Sequence, residues 1–348
     1  MKIIYDGSFL TSPRLAGGIA RDSLSLIEKL RQQFQVEIYY PESQFFKNID
    51  HLNRTKIIKA MQKLVCLILN LLKIYPQNPS KHVYWQSQPG IYIPPKHSSW
   101  ILRVHDLYPI TFPHDYSFLQ RKIFKRSIEE AVNRAIFVVN SVHTKMELRK
   151  MCGIDLRIFV IPCQESRFEL TPCNKCPICR NSNMLNLKYV LNVGTLFSRR
   201  NISATTNFAG LLFDKTGIKT YVIGRSTSWR QRMHLRLNTE RTKIEFLGTI
   251  CDAKLSQAYD STMGYISLSQ DEGFNIPLLD ALIRGIPSLA SDIPAHRELI
   301  KDKNCFDEEN FLLRLKNPLG SFRDKDMYSP KLLDETNELI QFMRSHLC

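Results

Sequence analysis

Short apolar runs alternate with helical patterns along almost the whole chain. The runs are rich in β-branched and aromatic residues, and polar turns separate them from stretches of helical periodicity. This alternation predicts βαβ units, because parallel strands need a crossover to return to the same edge of a sheet. In the first half, the predicted strands are Lys2–Tyr5, Val36–Tyr40, His82–Trp85, Trp100–Val104, Ile136–Val139 and Arg157–Ile161. In the second half, they are Tyr189–Val193, Thr220–Ile223, Lys243–Phe246, Gly264–Leu268 and Pro287–Ala290.

A break in this alternation divides the chain in two. Residues 166–186 are rich in Pro, Cys, Asn and Ser and show no period, so they are predicted to form a linker. We predict one Rossmann-like domain over residues 1–165 and a second over 187–348, with the last helix packing back on the first domain. Open α/β sheets bind ligands beyond the carboxyl ends of their strands, so a cleft between the two domains is expected.

The charge balance favours anionic partners. The chain of 348 residues carries 48 basic and 33 acidic side chains, a formal net charge of +15. Phosphates, nucleic acid and an acidic membrane surface are all compatible with this excess. The first apolar run ends at Asp6, too soon for a signal peptide, and no run is long enough to span a bilayer. A cytoplasmic protein whose nine cysteines are reduced is therefore expected.

The most informative segment covers residues 265–299, which read as strand, acidic turn, helix, strand and helix. Asn275 can cap the first of these helices, and Pro277 enters it with a suitable φ. The helix would then direct its positive dipole end at the turn of Glu272, where a diphosphate is favoured. Asp280 follows eight residues after Glu272, so two carboxylates could accept bonds from hydroxyls at opposite ends of one ligand.

This segment resembles the Glu-x7-Glu region of retaining glycosyltransferases of the GT-B fold, family GT4. The match includes the acidic turn of Glu272, Gly273 and Phe274, the capping Asn275 and the later Arg-Gly-Ile-Pro turn. The resemblance implies that Glu272 contacts the transferred sugar and that Asp280 contacts the donor ribose. Because Asp is one methylene shorter than the family's second Glu, the ribose contact can be direct, water-mediated or weaker.

A second match lies in residues 191–201, where a buried strand ends at Gly194 and is followed by Arg199 and Arg200. This loop resembles the family's Gly-Thr-x-x-x-Arg-Lys-Asn loop. Guanidinium groups pair bidentately with phosphate oxygens, so Arg199 is expected to bind the donor and Arg200 to neutralise the departing diphosphate. The family more often has Lys at the position of Arg200, so the contact geometry must differ.

Two motifs in the first half complete the resemblance. Gly17 and Gly18 open a helix after the first strand and allow close approach of a phosphate, as in the family's Gly-Gly loop. The Arg103-Val-His-Asp-Leu segment resembles the family's Val-His-Asp-Leu. The resemblance implies that His105 lies against the transferred sugar, with Asp106 orienting either His105 or the loop.

The resemblance therefore implies an α/β protein of the GT-B type, with two Rossmann-like doubly wound domains facing a central cleft. The N-terminal domain would bind the acceptor and the C-terminal domain the nucleotide sugar. The implied reaction moves a hexose, mannose as the first choice, from a nucleoside diphosphate sugar to an acceptor hydroxyl. GDP and UDP are the expected nucleotides, and the expected acceptor is a lipid-linked glycan of polysaccharide or O-antigen assembly. No cofactor is expected.

A basic and apolar stretch at residues 54–75 bears on the acceptor. Three of its lysines, Lys56, Lys59 and Lys63, share one helical face, and an apolar run follows them. Such a helix can rest on the cytoplasmic face of an anionic membrane, as a peripheral protein would, and the alternative is a packed helix with a basic end.

Two features suggest metal chemistry. Soft ligands for zinc or an iron–sulfur group are offered by Cys163, Cys173, Cys176 and Cys179. Their spacing lacks the paired regularity of structural zinc sites, so free linker thiols are the alternative. The Asp-x-Asp at residues 324–326 lies in a polar segment instead of after a strand, so no catalytic metal is expected there.

Rival functions remain at this point. A sugar-nucleotide 2-epimerase or a phosphorylase would share the fold, and a basic nucleic-acid-binding protein would share the charge. A phosphorylase would need a lysine that binds pyridoxal phosphate, and the sequence shows no distinctive context for one. A nucleic-acid-binding function would leave the Glu272 segment unexplained. We therefore expect no nucleic acid partner.

Overall fold

The structure is a computed structural model of the chain. It describes residues 2–7, 18–39, 82–90, 93–96, 98–153, 155–166, 168, 188–226, 244–316, 328 and 332–347. The chain divides into two compact units, the first comprising residues 1–164 with 333–348 and the second residues 165–332. The helix proposed for residues 54–75, the Asp-x-Asp and nearly all of the predicted linker lie outside the described residues.

The first unit is a six-stranded parallel sheet flanked by helices. Along the chain its elements are β1 (Lys2–Asp6), α1 (Gly18–Arg31), β2 (Gln35–Tyr39), β3 (His82–Gln86), β4 (Ser99–Val104), α2 (Tyr108–Thr111), α3 (Phe118–Val132), β5 (Ala135–Val139), α4 (Val142–Cys152) and β6 (Ile158–Val160). The strand order is β2-β1-β3-β4-β5-β6. Order along the sheet therefore reverses between β1 and β3, as in a doubly wound fold.

Both faces of the inner strands of this sheet are buried, which explains why those strands are nearly continuous apolar runs, whereas the edge strand β2 is partly exposed. Ile101 and Val138 pack against α1, whereas the next residues along the same strands, Leu102 and Val139, pack on the opposite face with helices α3 and α4. Successive side chains of a strand point to opposite faces, so a strand covered on both sides favours apolar residues at most positions.

The second unit contains a five-stranded parallel sheet. Its elements are β7 (Tyr189–Val193), a 3₁₀ turn (Ser198–Arg200), α5 (Ile202–Thr216), β8 (Lys219–Ile223), β9 (Ile244–Gly248), α6 (Asp252–Ser261), β10 (Gly264–Ser267), α7 (Ile276–Ile283), β11 (Ser288–Ala290), α8 (Pro294–Leu299), a second 3₁₀ turn (Lys303–Phe306) and α9 (Glu308–Lys316). The strand order is β11-β10-β7-β8-β9, so the reversal falls between β7 and β10.

The last helix, α10 (Thr336–His346), belongs to the first unit. Leu339 and Met343 join the apolar core on the α1 face of the first sheet. Glu335, just before the helix, accepts the backbone N–H of Val160 at 2.6 Å and pairs with Lys145 at 3.1 Å. Residues 333–348 therefore complete the first unit, although they follow the second unit in the sequence.

The predicted fold class is confirmed. All eleven predicted strands form, and no strand end differs from its predicted position by more than two residues. No helix in the described part of the chain is long and apolar enough to cross a membrane.

Candidate active site

The predicted site residues of the second unit lie where its strand order reverses. Strands β7 and β10 are neighbours, paired through Tyr265 and Leu191, and the loops that follow them leave the sheet at the same edge. One loop carries Arg199 and Arg200, and the other carries Glu272. This position is the usual ligand site of an open α/β sheet.

Arg200 and Glu272 form a buried ion pair at this edge. Arg200 Nη1 lies 2.6 Å from Glu272 Oε1, and Glu272 is only 2% exposed. The hydroxyl of Ser269 donates to the same carboxylate oxygen at 2.7 Å. Arg200 Nη1 also donates to Oδ1 of Asn275 at 3.3 Å. The two sequence-predicted residues therefore contact each other, and Ser269 is a contact that the sequence analysis did not identify.

Arg199 adds a second cation beside the same carboxylate. Its Nη2 atom lies 3.9 Å from Glu272 Oε2, and its side chain is largely buried. Two guanidinium groups facing one carboxylate leave an excess of one positive charge. In a poorly solvated environment such an excess attracts an anion more strongly than the same charge would in water.

Asn275 begins helix α7 in the predicted manner. Its side chain accepts the backbone N–H of Leu278 at 3.3 Å, and its own backbone adopts a left-handed φ of 74°. Pro277 stands in the first turn, where its missing N–H costs nothing. Gly273 and Phe274 are buried in the preceding turn.

Two glycines let the strand ends approach each other closely. Gly194, after β7, has a φ of +152°, and a Cβ there would lie 3.1 Å from Arg200 Cζ. Gly224, after β8, has a φ of +154°, and a Cβ there would lie 1.8 Å from the backbone oxygen of Gly194. Only glycine fits either position, and at Gly194 this allows the Arg200 guanidinium to rest against the backbone. The sequence analysis selected Gly194 but missed Gly224, which ends the next strand in the same way.

Asp280 is buried on helix α7, where Oδ1 accepts the backbone N–H of Ser166 at 2.7 Å. One carboxylate oxygen therefore holds the segment that enters the second unit. The ribose contact implied for Asp280 stays a prediction. Asp280 would have to make it while Oδ1 keeps its bond to Ser166.

The first unit contains a buried ion pair that the sequence analysis did not identify. Arg103, fully buried at the middle of the sheet, lies with Nε 2.8 Å from Oδ2 of Asp22 and donates from Nη2 to Oδ1 at 3.0 Å. The same Nη2 donates to the Ile161 carbonyl at 3.0 Å. Asp22 lies in the first turns of α1, the helix that Gly18 begins. Gly17 lies outside the described residues.

His105 lies beside this pair, at the carboxyl end of β4. Its Nε2 is 3.2 Å from the Ser87 carbonyl oxygen and 4.0 Å from Asp22 Oδ2. Burial lowers the pKa of His105 to about 4, the Asp22 carboxylate opposes this, and the Arg103 cation adds to it. His105 is therefore neutral near pH 7.

The tautomer of His105 follows from its contact with Ser87. A carbonyl oxygen can only accept, so Nε2 carries the proton and Nδ1 carries the lone pair. In this arrangement the remaining ring nitrogen, Nδ1, can only accept a hydrogen bond from a substrate. Asp106 Oδ1 accepts the backbone N–H of Tyr108 and so holds the loop that follows β4.

Cys163 also lies at this cluster. Ligand atoms of Cys163, Asp22 and His105 fall within 4.8 Å of one another, a spacing that a metal ion could use. The Arg103 guanidinium lies among them, 2.8 Å from Asp22 and 4.0 Å from the Cys163 sulfur. Burial holds the pKa of the Cys163 thiol well above its usual range, so the thiol is protonated. The Arg103 guanidinium therefore already supplies a positive charge beside the Asp22 carboxylate. The other three cysteines of the predicted cluster lie outside the described residues.

Comparison with known families identifies the second unit. Residues 188–322 match the model of the glycosyl transferases group 1 family. This range contains both loops of the reversal point, with Arg199, Arg200, Glu272 and Asp280.

Two curated relatives extend the similarity. The chain is 21% identical to the O-antigen chain mannosyltransferase B of Escherichia coli, over 89% of this chain and 87% of the relative. It is 25% identical to the O-antigen chain mannosyltransferase RfbU of Salmonella typhimurium, over 62% of this chain and 60% of that relative.

Solved structures show the same fold at low identity. WaaG, a glycosyltransferase involved in lipopolysaccharide biosynthesis, matches with a TM-score of 0.59 and 13% identity, over 99% of this chain and 100% of WaaG. Anabaena HepE, solved in complex with UDP and glucose, matches with a TM-score of 0.54 and 14% identity, over 100% and 99% of the two chains. The second unit therefore matches the glycosyl transferases group 1 family over residues 188–322, and the chain is a glycosyltransferase with the GT-B fold.

Proposed function

We propose that this glycosyltransferase moves a hexose, with retention, from a nucleoside diphosphate sugar to a hydroxyl of a growing glycan. The observation that carries the proposal is the pair of guanidinium groups around Glu272, one buried and one partly buried, at the reversal point of the second sheet. Their excess positive charge suits a diphosphate, and guanidinium groups bind phosphate oxygens through directed pairs of hydrogen bonds.

The proposed chemistry needs charge neutralisation more than a nucleophile. The bond from the sugar carbon to the diphosphate oxygen breaks, and the acceptor oxygen bonds to the same face of that carbon. The departing phosphate takes the acceptor proton. Arg199 and Arg200 stabilise the charge that develops on the diphosphate, and the Gly17-Gly18 loop and Asn275 line the donor. Glu272 and His105 hold sugar hydroxyls, with His105 accepting through Nδ1.

Mannose is our first choice of sugar, and O-antigen assembly our choice of pathway. Both curated relatives described above are named as O-antigen chain mannosyltransferases. GDP-mannose is therefore the donor we propose, with UDP-sugars as the second candidate because HepE was solved with UDP and glucose. The proposed acceptor is a lipid-linked glycan.

A donor screen tests this function. Hydrolysis of GDP-, UDP-, dTDP- and ADP-sugars would be measured with EDTA present, and the anomeric configuration of the released sugar read by NMR. We expect GDP-mannose to react fastest, without added metal and with retention. If none of these donors binds, the proposed function is wrong. If transfer requires Mg²⁺ or Mn²⁺, the proposed chemistry without a metal is wrong. An epimerised sugar nucleotide would favour the epimerase, and copurified nucleic acid would favour the nucleic-acid-binding class.

Replacing Arg200 by Ala should weaken nucleoside diphosphate binding more than nucleoside monophosphate binding. The proposed partner of Arg200 is the distal phosphate, which a monophosphate lacks. Losing a charged hydrogen bond predicts a loss of about tenfold to a hundredfold for the diphosphate. Isothermal titration calorimetry with GDP and GMP measures both affinities.

Arg297→Ala is the matched control, because Arg297 belongs to the same unit but forms an exposed pair with Asp292 at 2.6 Å. We expect this variant to bind both nucleotides as the parent does. Equal losses of GDP and GMP binding in Arg200→Ala would show that Arg200 acts elsewhere.

A surface of helix α3 supports peripheral membrane binding. Phe118 and Leu119, at its amino end, are 76% and 64% exposed. Exposed basic residues follow at Arg121, Lys122, Lys125 and Arg126. Exposed apolar side chains next to cations suit an interface with anionic head groups, which would bring the enzyme to a lipid-linked acceptor.

Replacing Phe118 and Leu119 by Ser should weaken binding to anionic phospholipid vesicles by about tenfold or more. The reason is that serine has no apolar side chain whose burial in the membrane interface would favour binding. Cosedimentation measures binding, and transfer to a short soluble acceptor should be unchanged. Leu313→Ser is the control, since Leu313 is 60% exposed but lies in the second unit.

The helix proposed for residues 54–75 is tested separately. Replacing Lys56, Lys59 and Lys63 by Gln should also reduce vesicle binding, since each near-surface lysine contributes about 1 kcal/mol of attraction. If the parent protein does not bind vesicles, or neither variant changes binding, the proposed membrane contact is wrong.

A further inference from the structure

His296 is a fully buried histidine whose two ring nitrogens both have defined partners. It lies in helix α8, with no exposed surface. Nδ1 is 2.8 Å from the carbonyl oxygen of Ser291, and Nε2 is 2.8 Å from Nδ2 of Asn275. A carbonyl can only accept and an amide NH₂ can only donate, so Nδ1 carries the proton and Nε2 the lone pair.

The orientation of the Asn275 amide is fixed independently. Its Oδ1 faces two groups that can only donate, the backbone N–H of Leu278 and Nη1 of Arg200. Its Nδ2 donates to Oγ of Ser267 at 2.8 Å and to His296. The reversed amide would direct its NH₂ at both donors, so the hydrogen-bond network selects a single orientation.

These contacts close into a ring around the proposed donor site. Ser291 Oγ donates to the backbone oxygen of Ser269, whose own hydroxyl donates to Glu272. Glu272 pairs with Arg200, which donates to Asn275, and Asn275 donates to His296. His296 returns to the Ser291 carbonyl. The ring joins the loops after β7, β10 and β11. In each of its hydrogen bonds, the donor and the acceptor are defined by the contacts given above.

We propose that His296 is a positioning residue for the donor diphosphate. Its Nε2 lone pair holds the Asn275 amide so that Oδ1 faces Arg200, and this contact aims the guanidinium at the phosphates. The inference rests on the proposed function of Arg200 as a diphosphate ligand. His296 itself touches neither phosphate nor sugar in this role.

The protonation state of His296 agrees with the role. Burial lowers the pKa of His296, the carboxylates of Glu272 and Asp271 oppose this, and the Arg200 cation adds to it. The ring is therefore neutral at physiological pH, and Nε2 keeps its lone pair. Protonation at lower pH would place a donor against the Asn275 NH₂, so diphosphate affinity should fall as the pH falls through the pKa of His296.

Two polar replacements of His296 separate positioning from packing. Gln can place an amide oxygen near the position of Nε2 and keep an acceptor for Asn275. Asn is too short for this but can keep the donor to Ser291. We expect His296→Asn to weaken GDP binding by about tenfold with little change for GMP, and His296→Gln to remain within about threefold of the parent. Thermal unfolding of both variants monitors the packing loss.

The Arg200→Ala background provides the matched control. If His296 acts through Arg200, His296→Asn should add no further loss of GDP affinity in that background, a coupling that a structural role would not produce. Equal losses in the Gln and Asn variants, or additive losses with Arg200→Ala, would overturn the inference. An Nε2-protonated tautomer of His296 in ¹⁵N NMR of the parent would also overturn it. Absence of GDP and UDP binding by the parent would instead remove the proposed function.

Discussion

Replacing Glu272 by Gln is expected to lower turnover by at least about 100-fold while leaving nucleoside diphosphate affinity unchanged or tighter. The amide oxygen of Gln can still accept from Arg200 and Ser269, so the fold of the loop should persist. The two arginines, however, lose the carboxylate that offsets half their charge, and the diphosphate meets a more positive site. The reacting sugar loses the carboxylate that we propose stabilises it.

The opposite directions of these two effects distinguish the model from simple damage. Glu245→Gln is the matched control, since Glu245 lies in the same unit and pairs with Lys219 at 3.0 Å near the surface. We expect its turnover to match that of the parent. Steady-state kinetics with the donor found in the screen, together with GDP titration, measure both quantities. Parent-like turnover in Glu272→Gln would remove the main catalytic assignment.

Most of the strands were predictable because the inner strands of each sheet are buried on both faces. A run such as Val138 and Val139 must be apolar at every position, and polar turns bound it on either side. The proximity of the predicted site residues of the second unit was predictable for a related reason. Glu272 and Arg200 each follow a strand of a parallel sheet, so they leave at the same edge, and the contact between them follows from the reversal of strand order.

The Asp22–Arg103 pair was missed because its partners are 81 positions apart in the sequence. A signal was nevertheless present, since Arg103 interrupts the apolar run of β4 and a charge inside a buried strand must be paired. Nothing local to Asp22 identified it as the partner. His296 was missed for a similar reason, because its proposed role depends on Asn275, which lies 21 positions away in a different loop. Gly224 had a clearer signal, because it ends β8 as Gly194 ends β7.

The sequence analysis predicted that the last helix packs back on the first domain, and Leu339 and Met343 of that helix do complete the core of the first sheet. The apolar pattern of the helix alone would not have decided between the two sheets. An amphipathic helix shows which of its faces is apolar and not which sheet it covers.

The buried Asp22–Arg103 pair predicts the largest change in stability. Arg103→Met removes the cation and leaves the Asp22 carboxylate buried without its partner, which should lower the free energy of unfolding of the first unit by about 3–5 kcal/mol. The double variant with Asp22→Leu removes the stranded charge and should recover most of that loss. The charge change also reaches His105, because the Arg103 cation lowers its pKa and the Asp22 carboxylate raises it. In Arg103→Met the pKa of His105 should therefore rise.

Tryptophan fluorescence can follow the first unit within the full chain. Trp85 and Trp100 are buried in its core, and Trp229 is the third tryptophan of the sequence. In a Trp229→Phe background, urea denaturation would compare Arg103→Met, the double variant and the exposed control Arg121→Met. The control should unfold with the parent. If Arg103→Met unfolds within about 1 kcal/mol of the parent, or the double variant is no more stable than the single one, the ion pair does not carry the stabilisation assigned to it. Titration of His105 by NMR provides the second readout, and an unchanged pKa would show that the pair does not set the protonation state of the neighbouring histidine.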